Sequence, residues 1–168
     1  MNYKYLGKIL GKIMILEGVL MLAPLTVSLI YKESYTHALA FLIPLIILVA
    51  LGLLLQIPKP ARRSLYQKEG FALTALVWIV MTLFGAVPFV INREIPSYID
   101  AFFETVSGVT TTGASILTGD QIEAFPKGLL FWRSFTHWVG GMGIIVFVMV
   151  FATGSQDRSM HILRAEMP

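Results

Sequence analysis

The sequence predicts an all-α integral membrane protein with four transmembrane helices, one short re-entrant helix and an extended loop after it. Three observations carry that prediction. Apolar side chains make up 56% and charged ones 14% of the 168 residues, whereas a soluble domain holds about 45–50% and 25%. Four apolar runs come close to the roughly 20 residues that a bilayer crossing needs. Between the third and fourth runs lies a helix signal of about half that length, which leads into a β-branched stretch. Cysteine is absent, so a disulfide framework and a thiolate metal site are both excluded.

The first run covers residues 9–30 and is interrupted by Lys12 and Glu17. Lys4, Lys8 and Lys12 before it imitate a signal sequence, but the apolar stretch exceeds an h-region of about 7–15 residues and lacks a small-x-small site. It therefore reads as an uncleaved helix. The second run, residues 38–57, carries no charge and meets Pro58 and Pro60 where a helix would stop. The third, 70–91, is also uncharged and has Pro88 near its exit; the fourth, 129–152, contains Arg133 and His137.

Residues 92–128 do not read as a simple loop. Ser97 is a plausible N-cap, with Asp100 three residues on. Ala101, Phe102, Phe103 and Val106 then supply an apolar face that ends at Gly108. At 1.5 Å per residue such a helix reaches about 16 Å, roughly half the hydrocarbon thickness. From Val109 through Thr110, Thr111, Thr112, Gly113, Ala114 and Ser115 the β-branched residues disfavour helix. Extended backbone is expected there.

Basic residues in the connections set the orientation. With the N-terminus inside, Lys4, Lys8, Lys12, Lys59, Arg62, Arg63, Lys68, Arg158 and Arg164 are cytoplasmic, and only Lys32, Arg93 and Lys127 are external. The same assignment places Glu94, Asp100, Glu104, Asp120 and Glu123 outside. That acidity fits either a vestibule that concentrates cations or a solvated loop.

Non-helical backbone at membrane depth survives only when buried in protein or lining a watery cavity. Its carbonyls can then replace the hydration shell of a cation. Threonine adds hydroxyl oxygens, Gly113 can take positive φ, and the short helix aims its negative C-terminal end inward. The tetrapeptide alone is unspecific. The order of span, half-helix, Thr/Gly run, polar return and span is the M1–pore helix–filter–M2 order of potassium channels.

Two stretches carry a closer likeness: residues 101–115, AFFETVSGVTTTGAS, and residues 130–145, LFWRSFTHWVGGMGII. Together they resemble the first pore repeat of the TrkH/KtrB superfamily of potassium transporters. The resemblance covers the whole chain, and the first two spans look like the extra N-terminal pair of the TrkH branch. It implies a plasma-membrane protein, bacterial or archaeal, with four non-identical repeats in one polypeptide. It also implies a homodimer and a cytoplasmic nucleotide-binding gating ring as partners. No organic cofactor, catalytic group or nucleic-acid partner is implied. Carried over by position, the potassium-coordinating carbonyls are those of Thr110, Thr111, Thr112 and Gly113. The expected organisation is a two-helix hairpin (1–57), a basic cytoplasmic loop (58–69), one M1–P–M2 repeat (70–156) and the start of a cytoplasmic connection (157–168). One repeat is a quarter of a filter, so a fragment of a longer chain is expected ahead of a homotetramer.

Arg133 and His137, four residues apart, share a helix face. Arg133 is expected to form a structural pair with Asp120 or Glu104, and His137 to brace the loop. Gly140, Gly141 and Gly143, like Gly7, Gly11 and Gly18, suit close helix packing. Glu17 needs Lys12 or the bundle interior. Trp132 suits the external interface and Trp138 the bundle. A solute transporter built on a discontinuous helix is the alternative function. An intramembrane enzyme would need a nucleophile with a base or a metal set, which Ser107, Ser115, His37, His137 and His161 do not supply by their spacing.

Overall fold

Proline sets the first irregularity of the chain. In the computed structural model, which describes residues 3–58 and 67–153, α1 (Tyr3–Leu20) passes into α2 (Leu22–Ile30) through Met21. The ring of Pro24 excludes the carbonyl four residues earlier, that of Leu20, where α1 ends. The Met21 N–H is shared between the carbonyls of Glu17 at 3.2 Å and Gly18 at 3.1 Å. Then come α3 (Tyr35–Leu54), α4 (Gln67–Ile91), α5 (Tyr98–Val109), α6 (Gly119–Glu123) and α7 (Lys127–Thr153). Of the expected basic loop, residues 59–66 lie outside the described residues, as do residues 154–168 with Arg158, His161 and Arg164.

This is an integral membrane protein. Among the described residues, Tyr3–Ile30, Tyr35–Leu54 and Glu69–Ile91 are long and apolar enough to cross a membrane. The fourth expected crossing falls on α7, whose 27 residues extend about 40 Å.

α1 and α3 run antiparallel, and glycine lets their backbones meet. A Cβ on Gly11 would sit 2.6 Å from the Gly52 carbonyl oxygen, and one on Gly52 would sit 2.6 Å from that of Gly11. One turn pair further along, Gly18 faces Val49 and the Leu45 carbonyl. The packing role expected of Gly11 and Gly18 is what the geometry gives, with Gly7 in ordinary contact with Leu55.

The hairpin of α1–α3 shares a core with the rest of the chain. Phe41 meets Trp132 edge-on, with ring centroids 6.4 Å apart, and Gly128 lies against Pro24 and Ser28. At one end of the bundle the Glu33 carboxylate accepts the Lys127 and Gly128 N–H groups at the start of α7. A helix N-terminus favours a carboxylate there. His37 Nδ1 lies 2.8 Å from Asn92 Oδ1, joining the start of α3 to the end of α4.

One expectation is reversed on α7. Trp132 is not at an interface: it is 4% exposed, and its indole N–H donates to the Gly85 carbonyl at 2.9 Å. Trp138 is 60% exposed and stacks on Phe135. Six residues at about 100° each set the two rings about 120° apart around α7, and the face toward α4 offers an indole its buried acceptor.

If the Gly11–Gly52 crossing holds the hairpin, Gly52→Val forces α1 and α3 apart. Overpacking of this kind costs about 1–3 kcal/mol. The thermal midpoint of the detergent-solubilised full-length protein is expected to fall, while Gly119→Ala, which meets nothing within 4 Å, leaves it in place. An unchanged midpoint in Gly52→Val would contradict the close crossing.

Candidate functional site

α5 begins where the sequence places it. Ser97 is extended, and its side chain accepts the Asp100 N–H at 3.4 Å. The helix runs one residue beyond its expected end at Gly108, and its 12 residues span about 18 Å. It lies between α4 and α7. Thr105 packs on Gly85 of α4, and Gly108 sits under Thr136 and the His137 ring of α7. At Val109 the approach is closest: a Cβ on Gly140 would overlap the Val109 carbonyl and Cα. Gly140 stands midway along α7, so α5 ends at half the depth of the bundle. The packing role expected for Gly140 is therefore a backbone-on-backbone contact. Gly141 lies against the Thr111 methyl group, and Gly143 has nothing within 4 Å.

The Thr/Gly run differs from expectation in its first half. Val109 is still helical, and Thr110 caps the helix in right-handed conformation. Thr111 then takes φ +56°. Its N–H donates to the Gly108 carbonyl at 2.9 Å, and the Thr112 N–H to that of Ser107 at 3.0 Å. Those two bonds define a Schellman turn, which usually places glycine at the left-handed position. A β-branched residue there is a strained outlier, of order 1–3 kcal/mol. The helix end, with its carbonyls in need of donors, overrides the β-branched preference for extended backbone. Residues 112–115 are irregular, and Gly113 has φ +75°.

The turn uses the N–H groups of this run and leaves its oxygens free. Among the described residues no hydrogen bond reaches the carbonyl oxygens of Thr110, Thr111, Thr112 or Gly113. All four residues are exposed in this chain. Two of the three threonine hydroxyls are occupied locally: Thr110 Oγ1 donates to the Val106 carbonyl at 2.7 Å and lies 2.8 Å from Thr112 Oγ1. Four consecutive unclaimed acceptors thus sit at the end of a half-length helix, whose C-terminus is itself negative.

Beyond Gly113 the chain is tied back to α5. Ser107 Oγ donates to the Ala114 carbonyl at 2.5 Å. Glu104, 3% exposed, gathers the return segment. Its Oε1 accepts Arg133 Nη2 at 2.7 Å, Arg133 Nε at 2.8 Å and Ser115 Oγ at 2.9 Å. Its Oε2 accepts the Ile116 N–H at 3.3 Å. Of the two partners expected for Arg133, Glu104 is the one it meets. The chain then returns through α6, whose capping box joins Thr118 and Gln121. Thr118 and Gln121 stand three apart in the sequence, and that spacing was a readable signal for α6.

The other candidates resolve in part. His137 Nδ1 bonds the Arg133 carbonyl of its own helix at 2.9 Å, so it touches α5 at Gly108 but holds no oxygen of the loop. Glu17 faces the bundle interior, 4% exposed; Lys12 is exposed and does not meet it. Both Glu17 oxygens lack a hydrogen-bond partner among the described residues, and they line a small cavity with Met81, Val109, Trp132 and Thr136.

Residues 37–168 match the family of the cation transport protein TrkH. The chain belongs to that family. Its TrkH relatives include the Trk system potassium uptake protein TrkH of Halomonas elongata, 34% identical over the whole of this chain and 34% of that protein. The protein of the same name from Escherichia coli K12 is 36% identical over the same shares. The Trk system potassium uptake protein TrkG of Escherichia coli K12 is 31% identical over 94% of this chain and 32% of that protein. The chain therefore spans about a third of the length of the curated relatives it matches. TrkH-family proteins are transporters, not enzymes.

The Glu104–Arg133 pair gives a test of this geometry. Removing one partner of a buried pair costs about 3–5 kcal/mol, because the other charge is left uncompensated. Arg133→Met is expected to lower the unfolding midpoint of the full-length protein strongly, and Glu104→Gln combined with it to recover part of the loss. Additive losses would show that the two side chains act independently.

Proposed function

We propose that the full-length protein takes up potassium across the plasma membrane, and that this chain supplies one of the four segments that surround its filter. In this reading α4, α5 and α7 are the M1, pore helix and M2 of residues 70–156, and the hairpin of residues 1–57 is an addition packed outside them. α7 is the fourth crossing and α5 is re-entrant. The N-terminus and the loop of residues 58–69 face the cytoplasm, as the excess of lysine and arginine favours. The end of the bundle that holds Glu33, Asn92 and α6 faces outside.

One observation carries the reading. The carbonyls of Thr110, Thr111, Thr112 and Gly113 have no hydrogen-bond donor among the described residues, at the depth where α5 ends against Gly140. Backbone acceptors within a membrane need protein, water or an ion, and a dehydrated cation is met by such oxygens in potassium filters. The exposure of these residues in this chain supports a place beside other segments of the same kind. Three further segments would come from the longer chain that the curated relatives have. A homodimer and a nucleotide-binding gating ring on the cytoplasmic side are the partners that the family resemblance implies. Potassium, the cargo of the relatives that are named potassium uptake proteins, is assigned to this chain by the same resemblance.

Gly113→Asp tests the proposal in the full-length protein. A carboxylate at a left-handed position, beside the free carbonyls, should reduce rubidium uptake into vesicles to background at unaltered protein level. Uptake at the level of the unsubstituted protein would remove the filter assignment.

A further inference from the structure

Ser107 touches the Thr/Gly run at two points that bracket Gly113. Its carbonyl accepts the Thr112 N–H at 3.0 Å, and its hydroxyl donates to the Ala114 carbonyl at 2.5 Å. The side chain itself is buried in α5, 5% exposed. It is fixed one turn above the helix end by the packing of Gly108 against Thr136 and His137. The consequence lies in the oxygens. The carbonyls of residues 110–113 are unclaimed among the described residues, and the next one, Ala114, is taken. Nothing else described binds that oxygen. The consecutive free acceptors are therefore interrupted after Gly113, where a hydroxyl of the same helix occupies the Ala114 carbonyl.

We propose that Ser107 is a positioning residue that determines ion specificity by setting the outer limit of the coordinating carbonyls. The inference rests on the filter reading above and deepens it. With the hydroxyl present, the Ala114 peptide is held toward α5 and its oxygen is turned from the ion path. The peptide that follows Gly113 is also fixed at its far end, which restrains a glycine otherwise free to change φ and ψ. Without the hydroxyl, the Ala114 oxygen is released to compete for the cation, and the Gly113 carbonyl loses its fixed direction. A filter whose oxygens relax toward a smaller ion discriminates less well between potassium and sodium. Ser107 needs no contact with the ion for this effect, and neither Glu104 nor Arg133 can replace it, since Glu104 first meets the loop at Ser115 and the Arg133 side chain bonds Glu104.

The test uses the full-length protein in vesicles and measures rubidium and sodium flux side by side. A single hydrogen bond of ordinary net strength corresponds to about a five- to tenfold effect. Ser107→Ala is therefore expected to lower the rubidium-to-sodium flux ratio about five- to tenfold. Ser107→Cys, which keeps the shape with a weaker donor, is expected to lower it by less, and it serves alone if the alanine variant does not fold. A merely structural role would reduce both fluxes together and leave their ratio in place; that result in Ser107→Ala and Ser107→Cys overturns the proposal. Gly113→Asp in the same vesicles separates the two levels. If it abolishes uptake while the serine variants keep the ratio, only the role of Ser107 fails. If it leaves uptake intact, the filter reading fails and the role of Ser107 goes with it.

Discussion

A main-chain carbonyl kept from water must find a donor or a cation, and among the described residues no donor reaches the carbonyls of Thr110–Gly113. The Schellman turn directs the Thr111 and Thr112 N–H groups back to Gly108 and Ser107. The hydroxyls of Thr110 and Thr112 turn to Val106 and to each other. Ser107 takes Ala114, and Glu104 takes the donors of Ser115 and Ile116. What remains is a short set of oxygens with one open side. In the proposed reading a dehydrated potassium ion is the missing partner.

Holding that arrangement costs about 1–3 kcal/mol for the left-handed Thr111, so the surroundings must determine it. Three contacts do so from different directions. Gly140 allows α7 to meet the Val109 backbone, Trp132 anchors α7 to the Gly85 carbonyl of α4, and the buried Glu104–Arg133 pair joins α5 and α7 to the returning chain. The Arg133 charge is neutralised by the same carboxylate that holds Ser115, so it does not stand as a free positive group beside a cation path. Further out, Glu33 binds the start of α7, which couples the N-terminal hairpin to the element that seats α5.

Much of this was legible in the sequence because it depends on local chemistry. Apolar run lengths gave α3, α4 and α7 to within three residues, whereas α1 starts six residues before its expected beginning and breaks at Met21; the Ser97 cap gave the start of α5. The end of α5 was harder: threonine disfavours helix locally, but a helix terminus with its last carbonyls unsatisfied draws Thr111 and Thr112 into a turn. α6 was signalled by Thr118 and Gln121, a capping box in a stretch otherwise read only as polar. Trp132 was misplaced because the polar–apolar character of an indole suits an interface and a core alike, and only the Gly85 carbonyl decides between them. Glu33 at the foot of α7 and Ser107 at Ala114 rest on contacts 94 and 7 residues apart, and nothing in their local sequence marks either.

The central claim is that the Thr110–Gly113 carbonyls bind the transported ion. Anomalous diffraction from crystals of the full-length protein soaked in rubidium tests it most directly. The account predicts an anomalous peak within coordination distance of these oxygens, on the side that this chain leaves open. Rubidium peaks confined to other parts of the protein, with a well-ordered and ion-free Thr110–Gly113, would contradict it.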